Sequence, residues 1–124
     1  MNLKSFKYWL DALGQAWINR DPKAAADICA QDVLYFETPF DKPLTSKKEV
    51  EDVWQEVPAT QKDVEFDYEI ISVNKEVGIA KWRSSFTRLP SEIRDTLDGI
   101  YMVKLDSNGL CKEFHQWWVV KPST

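Results

Sequence analysis

After residue 62 the spacing of apolar residues changes from a helical period to a strict alternation, and that switch limits the folds open to this chain. Before it, Phe6, Trp9, Leu10, Leu13 and Trp17 recur with the helical period, while Asp11, Gln15 and Asn19 lie on the opposite side. After it, Val64, Phe66, Tyr68 and Ile70 alternate with Glu65, Asp67 and Glu69, which describes a strand with one dry face and one wet face. Helices with a single apolar stripe and a sheet with a single apolar face must bury one another. The expected class is α+β, with the helices packed on the concave face of a curved, mostly antiparallel sheet.

Local signals place the elements. Asp21 caps a second helix and Pro22 suits its first turn, where a missing N–H costs nothing. Ala25, Ile28 and Cys29 give that helix a narrow apolar face of small residues. The stretch "DVLYFETPF" reads as a strand up to Pro39. Ser46 and Glu49 have capping-box spacing and open a third helix with Val50, Val53, Trp54 and Val57 on one face, ended by Pro58. Further strands are expected from Ile79 to Arg88, Thr96 to Leu105 and Leu110 to Val120, with "DSNG" turning between the last two. The chain of 124 residues suits one domain, 1–124, with one core.

Alternation decides which side chains of "EFHQWW", residues 113–118, can act together. Phe114, Gln116 and Trp118 share one face, and Glu113, His115 and Trp117 the other. Trp82, Ser84 and Phe86 are the more apolar set of their strand, so they are assigned to the concave face with Tyr101, Phe114, Gln116 and Trp118. A bulge would reverse that assignment. Ile100, Met102, His115 and Trp117 then fall on the outer face, which is too apolar to be wholly wet and implies a second copy of the chain, a homodimer.

Composition excludes several classes. Lys and Arg number 16 against 20 Asp and Glu, with no basic run, so a nucleic-acid partner is not expected. One histidine and two distant cysteines, Cys29 and Cys111, supply no metal or redox motif, and neither a metal nor a cofactor is expected. No apolar run reaches membrane-spanning length and the first residues do not read as a signal peptide, so a cytoplasmic protein without a membrane partner is expected.

The element order, the Asp-Pro opening of the second helix, "AQDVLYFETP" and the closing "LDSNGLCKEFHQWWVV" together resemble the nuclear transport factor 2-like superfamily, and within it the SnoaL-like proteins. The resemblance spans almost the whole chain. It implies a cone-shaped barrel and a cavity between helices and sheet. The superfamily includes ketosteroid isomerases, polyketide cyclases, epoxide hydrolases, dehydratases and non-catalytic binders, so the function does not follow from the fold. The isomerases' base carboxylate falls on Glu37 or Thr38, depending on one gap, and their oxyanion donor on Tyr101. Their helix-one tyrosine falls near Leu13. The cyclases' last-strand histidine and aspartate fall on Phe114 and Gln116. Of the epoxide hydrolases' Asp-Arg-Asp network, Arg83 and Asp98 are present, but on the outer face.

The chain thus departs from each catalytic set while keeping the residues for a cavity. The expected ligand is a small, largely apolar molecule. The candidate pocket comprises Trp9, Leu13, Trp17, Tyr35, Trp54, Trp82, Ser84, Phe86, Phe114, Gln116 and Trp118, although the same aromatics could simply fill a core. The alternatives are a cofactor-free isomerase, dehydratase or cyclase, with Glu37 as base and Tyr101 as oxyanion donor, and a purely structural dimerisation module.

Overall fold

The computed structural model describes residues 1–122 and is built from four helices and one five-stranded sheet. Helix α1, Leu3–Ile18, starts at a capping box in which Asn2 and Ser5 satisfy each other's backbone N–H groups. Its stripe of Phe6, Trp9, Leu10, Leu13 and Trp17 is buried. Helix α2, Pro22–Asp27, is capped by Asp21 through the Ala24 N–H. It stops sooner than its composition suggests. Ile28 terminates it, and Cys29 opens strand β1, Cys29–Phe36, opposite Cys111. The Ile28 carbonyl accepts from the Trp9 indole at 2.9 Å and the Cys111 amide at 2.8 Å, so this corner ties α1, α2 and the sheet together.

Helix α3, Lys47–Trp54, is followed by a second short helix, α4, Glu56–Thr60. Pro58 therefore does not end the helical segment. It lies within the first turn of α4, where backbone N–H groups have no intrahelical acceptor and a proline removes nothing. The break falls at Gln55 instead.

Strands β2 (Gln61–Val73), β3 (Gly78–Arg88), β4 (Arg94–Leu105) and β5 (Cys111–Pro122) form an antiparallel meander. Strand β1 adds to it in parallel beside β5, giving the order β1-β5-β4-β3-β2. The β4–β5 register is unbroken from Asp95–Pro122 to Lys104–Glu113. Each side chain over that length therefore keeps the face its alternation assigns.

Trp82, Gly99 and Trp118 lie side by side across β3, β4 and β5 on the inner face, as do Ala80, Tyr101 and Gln116. Gly99 permits the close approach there. A Cβ at this position would meet the Trp117 carbonyl oxygen at 2.1 Å, and Trp118 Cβ and Trp82 Cε2 at 3.0 Å. Among the described residues no helix is long and apolar enough to cross a membrane.

Candidate functional site

The inner face of the sheet and the helices enclose a cavity of about 190 Å³. Its walls are mostly aromatic. Trp17 comes from α1, Tyr35 from β1 and Trp54 from α3. Trp82 and Phe86 come from β3, and Tyr101 and Trp118 from β4 and β5. Trp17 holds the centre, with ring centroids 5.7 to 6.2 Å from Trp54, Phe66, Trp82 and Phe86. Tyr101 stacks on Trp82 at 4.8 Å. The rings fill much of the space between helices and sheet, so the cavity is smaller than the roughly 300–1,000 Å³ of most ligand sites.

Polar groups are few, and most are committed. The Trp17 indole donates to Gln61 Oε1 at 2.8 Å. The Trp54 indole donates to the Tyr35 hydroxyl at 3.2 Å. Gln116 Nε2 donates to the main-chain carbonyl of Glu37 at 3.0 Å, which fixes the strand end carrying that carboxylate. Two groups are not: the Trp82 Nε1 has no acceptor and the Tyr101 hydroxyl has no partner among the described residues, and each residue is 2% exposed. Burial holds the Tyr35 and Tyr101 phenols well above their usual range, so both are neutral donors at any ordinary pH.

The outer end of the cavity carries charge. Glu37, Glu56 and Arg88 line it, together with Trp118, which is 42% exposed. Burial raises the Glu37 carboxyl above its ordinary value, and the like charges of Glu56 and Asp41 raise it further. Tyr35, Tyr101 and Glu37 border the same space. Arg88 is held by Asp95 and lies 5.1 Å above the Phe86 ring.

Of the residues expected at a pocket, Trp17, Tyr35, Trp54, Trp82, Phe86, Gln116 and Trp118 border this cavity, with Glu37 and Tyr101. Trp9, Leu13, Ser84 and Phe114 do not. Trp9 packs on Phe114 at 6.0 Å, and Phe114 is covered by Tyr35 at 4.3 Å; the other side of Trp9, with Ile28, lines a separate groove between α1 and the β4–β5 turn. Leu13 is buried in the same cluster. Ser84 is buried with its hydroxyl unpartnered among the described residues. Sequence reasoning missed Val53, Val57, Glu56, Gln61, Arg88 and Leu97. Val53 and Val57 share the helical stripe that identified Trp54, and Arg88 shares the strand face of Phe86. Leu97 shares the strand face of Tyr101, whereas nothing in the sequence marks Glu56 or Gln61.

On the outer face His115 Nε2 donates to Glu113 at 2.8 Å, and its ring stacks on Phe36 at 4.3 Å. The ring lies on the opposite side of the sheet from the cavity. Ile100 and Met102 are half-buried and Trp117 is 43% exposed. Ile100, Trp117, Val119 and Pro39 line an outer groove of about 560 Å³, bordered by Gln116 and Trp118 where it adjoins the inner cavity. Arg83 and Asp98 pair at 2.9 Å on that same face. Among the described residues no group of three or more histidines, cysteines or carboxylates is placed to hold a metal ion.

No curated protein sequence matches the chain significantly. Many solved structures share its fold, among them two at low identity. One is the epoxide hydrolase/cyclase-like enzyme SalBIII, with a role in pyran ring formation in the polyether salinomycin; its TM-score is 0.78 at 8% identity, over 91% of this chain and 89% of that one. The other is a Δ5-3-ketosteroid isomerase from Mycobacterium sp., with a TM-score of 0.79 at 11% identity, over 96% of this chain and 98% of that one. Such identities speak to the fold alone. A family model for the SnoaL-like domain matches residues 9–114. The chain accordingly belongs to the SnoaL-like domain family, within the nuclear transport factor 2-like superfamily.

Proposed function

We propose that the protein binds a small, largely apolar molecule in the cavity between its helices and its sheet. The observation that carries this reading is Tyr101. It is 2% exposed, its neutral hydroxyl makes no hydrogen bond among the described residues, and it borders open volume between aromatic walls. A buried donor left unmade costs about 1–3 kcal/mol, and an acceptor atom on a ligand would recover it. Mass spectrometry of the protein purified under native conditions tests the reading. A bound species is expected in the wild type and lost in Leu97→Trp, which would fill the cavity. An identical spectrum from both proteins would count against it.

A second reading has its own support. Glu37, with its raised carboxyl, and Tyr101, a neutral phenol, border the same space, as a base and an oxyanion donor must in a cofactor-free isomerase, dehydratase or cyclase. Gln116 would position the base through the Glu37 carbonyl. The isomerase and the cyclase-like enzyme of the same fold are the catalytic precedents. Glu37→Gln would abolish such an activity, and a variant that kept it would remove Glu37 from the mechanism.

The outer face is the part of the surface we assign to a second copy of the chain. Ile100, Met102, His115 and Trp117 form its apolar centre, and Arg83, Asp98 and Lys81 form a polar rim. Two-fold pairing sets such a patch against itself.

A further inference from the structure

Two carboxylates at the mouth of the cavity, Glu37 and Glu56, come from different elements and face the same space. Neither side chain has an ion-pair or hydrogen-bond partner among the described residues. Only their main-chain carbonyls are engaged, by Gln116 and by Thr60. The one cation that lines the cavity, Arg88, is already neutralised by Asp95. The lining therefore carries uncompensated negative charge at its outer end. Behind that charge the wall is made by Trp17, Trp54, Trp82, Phe86 and Tyr101, and aromatic rings attract cations within about 6 Å, most strongly where water is excluded. The fold already uses this attraction once, with Arg88 over Phe86. Polarity reverses toward the buried end. There the free group is a donor, the neutral Tyr101 phenol, which makes no hydrogen bond among the described residues.

We propose that the ligand is an organic cation: a single ring with a protonated amine or quaternary ammonium at the mouth and an acceptor oxygen at the buried end. The inference rests on the binding reading above and adds a charge and an orientation to it. An anion would meet Glu37 and Glu56 with no free cation to offset them. A wholly apolar ligand would leave both carboxylates and the Tyr101 hydroxyl without partners. The cavity of about 190 Å³ limits the ligand to about one ring. The raised carboxyl of Glu37 fits the same picture, because a cation between Glu37 and Glu56 relieves the repulsion that contributes to it.

Three probes share one phenol ring and differ in the charge at the other end: tyramine, tyrosol and 4-hydroxyphenylacetate. Calorimetric titration of the full chain is expected to show tyramine bound about tenfold or more tighter than tyrosol, with the acid weakest. Glu37→Gln and Glu56→Gln should each lower tyramine affinity several-fold and leave tyrosol affinity unchanged. Tyrosol bound as tightly as tyramine overturns the charge assignment while leaving the cavity as a binding site. Variants that weaken all three probes alike overturn the role given to the carboxylates. Absence of binding by all three overturns both the charge assignment and the binding reading.

Discussion

Gly99→Ala is a one-methyl change whose effect follows from where that methyl must go. Its Cβ would lie 2.1 Å from the Trp117 carbonyl oxygen, well inside any allowed contact, and 3.0 Å from both Trp118 Cβ and Trp82 Cε2. The first of these atoms is backbone, so no rotamer change relieves the clash. Strand β5 must move away from β4, and Trp118 and Trp82 must move with it. Overpacking of this kind costs about 1–3 kcal/mol, and a displaced backbone belongs at the upper end. The ordinary gain from replacing a strand glycine, roughly 0.5–1 kcal/mol, offsets only part of that cost. A net loss of about 2 kcal/mol is expected, which lowers Tm by about 5–10 °C for a domain of this size. Urea denaturation with an unchanged m-value would assign the loss to the folded state. Since Trp82 and Trp118 both line the cavity, ligand affinity should fall as well. A Gly99→Ala protein as stable as the wild type would show that the close approach of β4 and β5 is not a packing constraint.

Three further outcomes follow from named contacts. Glu37→Gln should be more stable than the wild type at about pH 8, because the raised carboxyl of Glu37 makes its ionised form unfavourable in the fold; that advantage should shrink as the pH falls through the raised value and vanish below the ordinary 4.5, as thermal melts across pH would show. Trp17→Phe removes the indole that donates to buried Gln61 and should lose about 1–3 kcal/mol beyond the lost ring volume, and Trp17→Phe combined with Gln61→Leu should regain part of it in chemical denaturation. The wild type should sediment as a dimer at micromolar concentration and Trp117→Glu as a monomer; a monomeric wild type refutes the dimer, and a dimeric variant shows the wrong surface was chosen.

The parts of the fold that local periodicity controls were legible in the sequence. The alternation of Phe114, Gln116 and Trp118 against His115 and Trp117 survives because β4 and β5 pair without a bulge over that length. The early end of α2 was not legible. Ile28 and Cys29 continue an apolar helical spacing, but pairing of Cys29 with Cys111 draws them into the sheet, a tertiary effect that overrides local propensity. Pro58 misled for a related reason. A proline signals a break, but whether it ends one helix or sits in the first turn of the next depends on the chain around it. The site was legible only in part. The helical stripe assigns Trp9 and same-face alternation assigns Phe114 to the interior, as surely as Trp17, Trp82 and Tyr101. Which interior rings border open volume and which pack on one another is set by the path of α1 over the sheet. Glu56 and Arg88 reach the cavity mouth only once α4 and the end of β3 are placed in space.

The central claim is that the space beside Trp82 is a binding site, and the indole N–H signals of the six tryptophans test it directly in a ¹H–¹⁵N spectrum titrated with tyramine and with tyrosol. Assignment comes from single Trp→Phe variants. The account predicts that the Trp82 indole signal shifts as the ligand ring enters the space its side chain borders, accompanied by Trp118 at the mouth. The Trp9 signal, whose N–H is held by the Ile28 carbonyl away from this cavity, should stay in place. A Trp82 signal that neither ligand moves, or a response confined to Trp117 on the outer face, would contradict it.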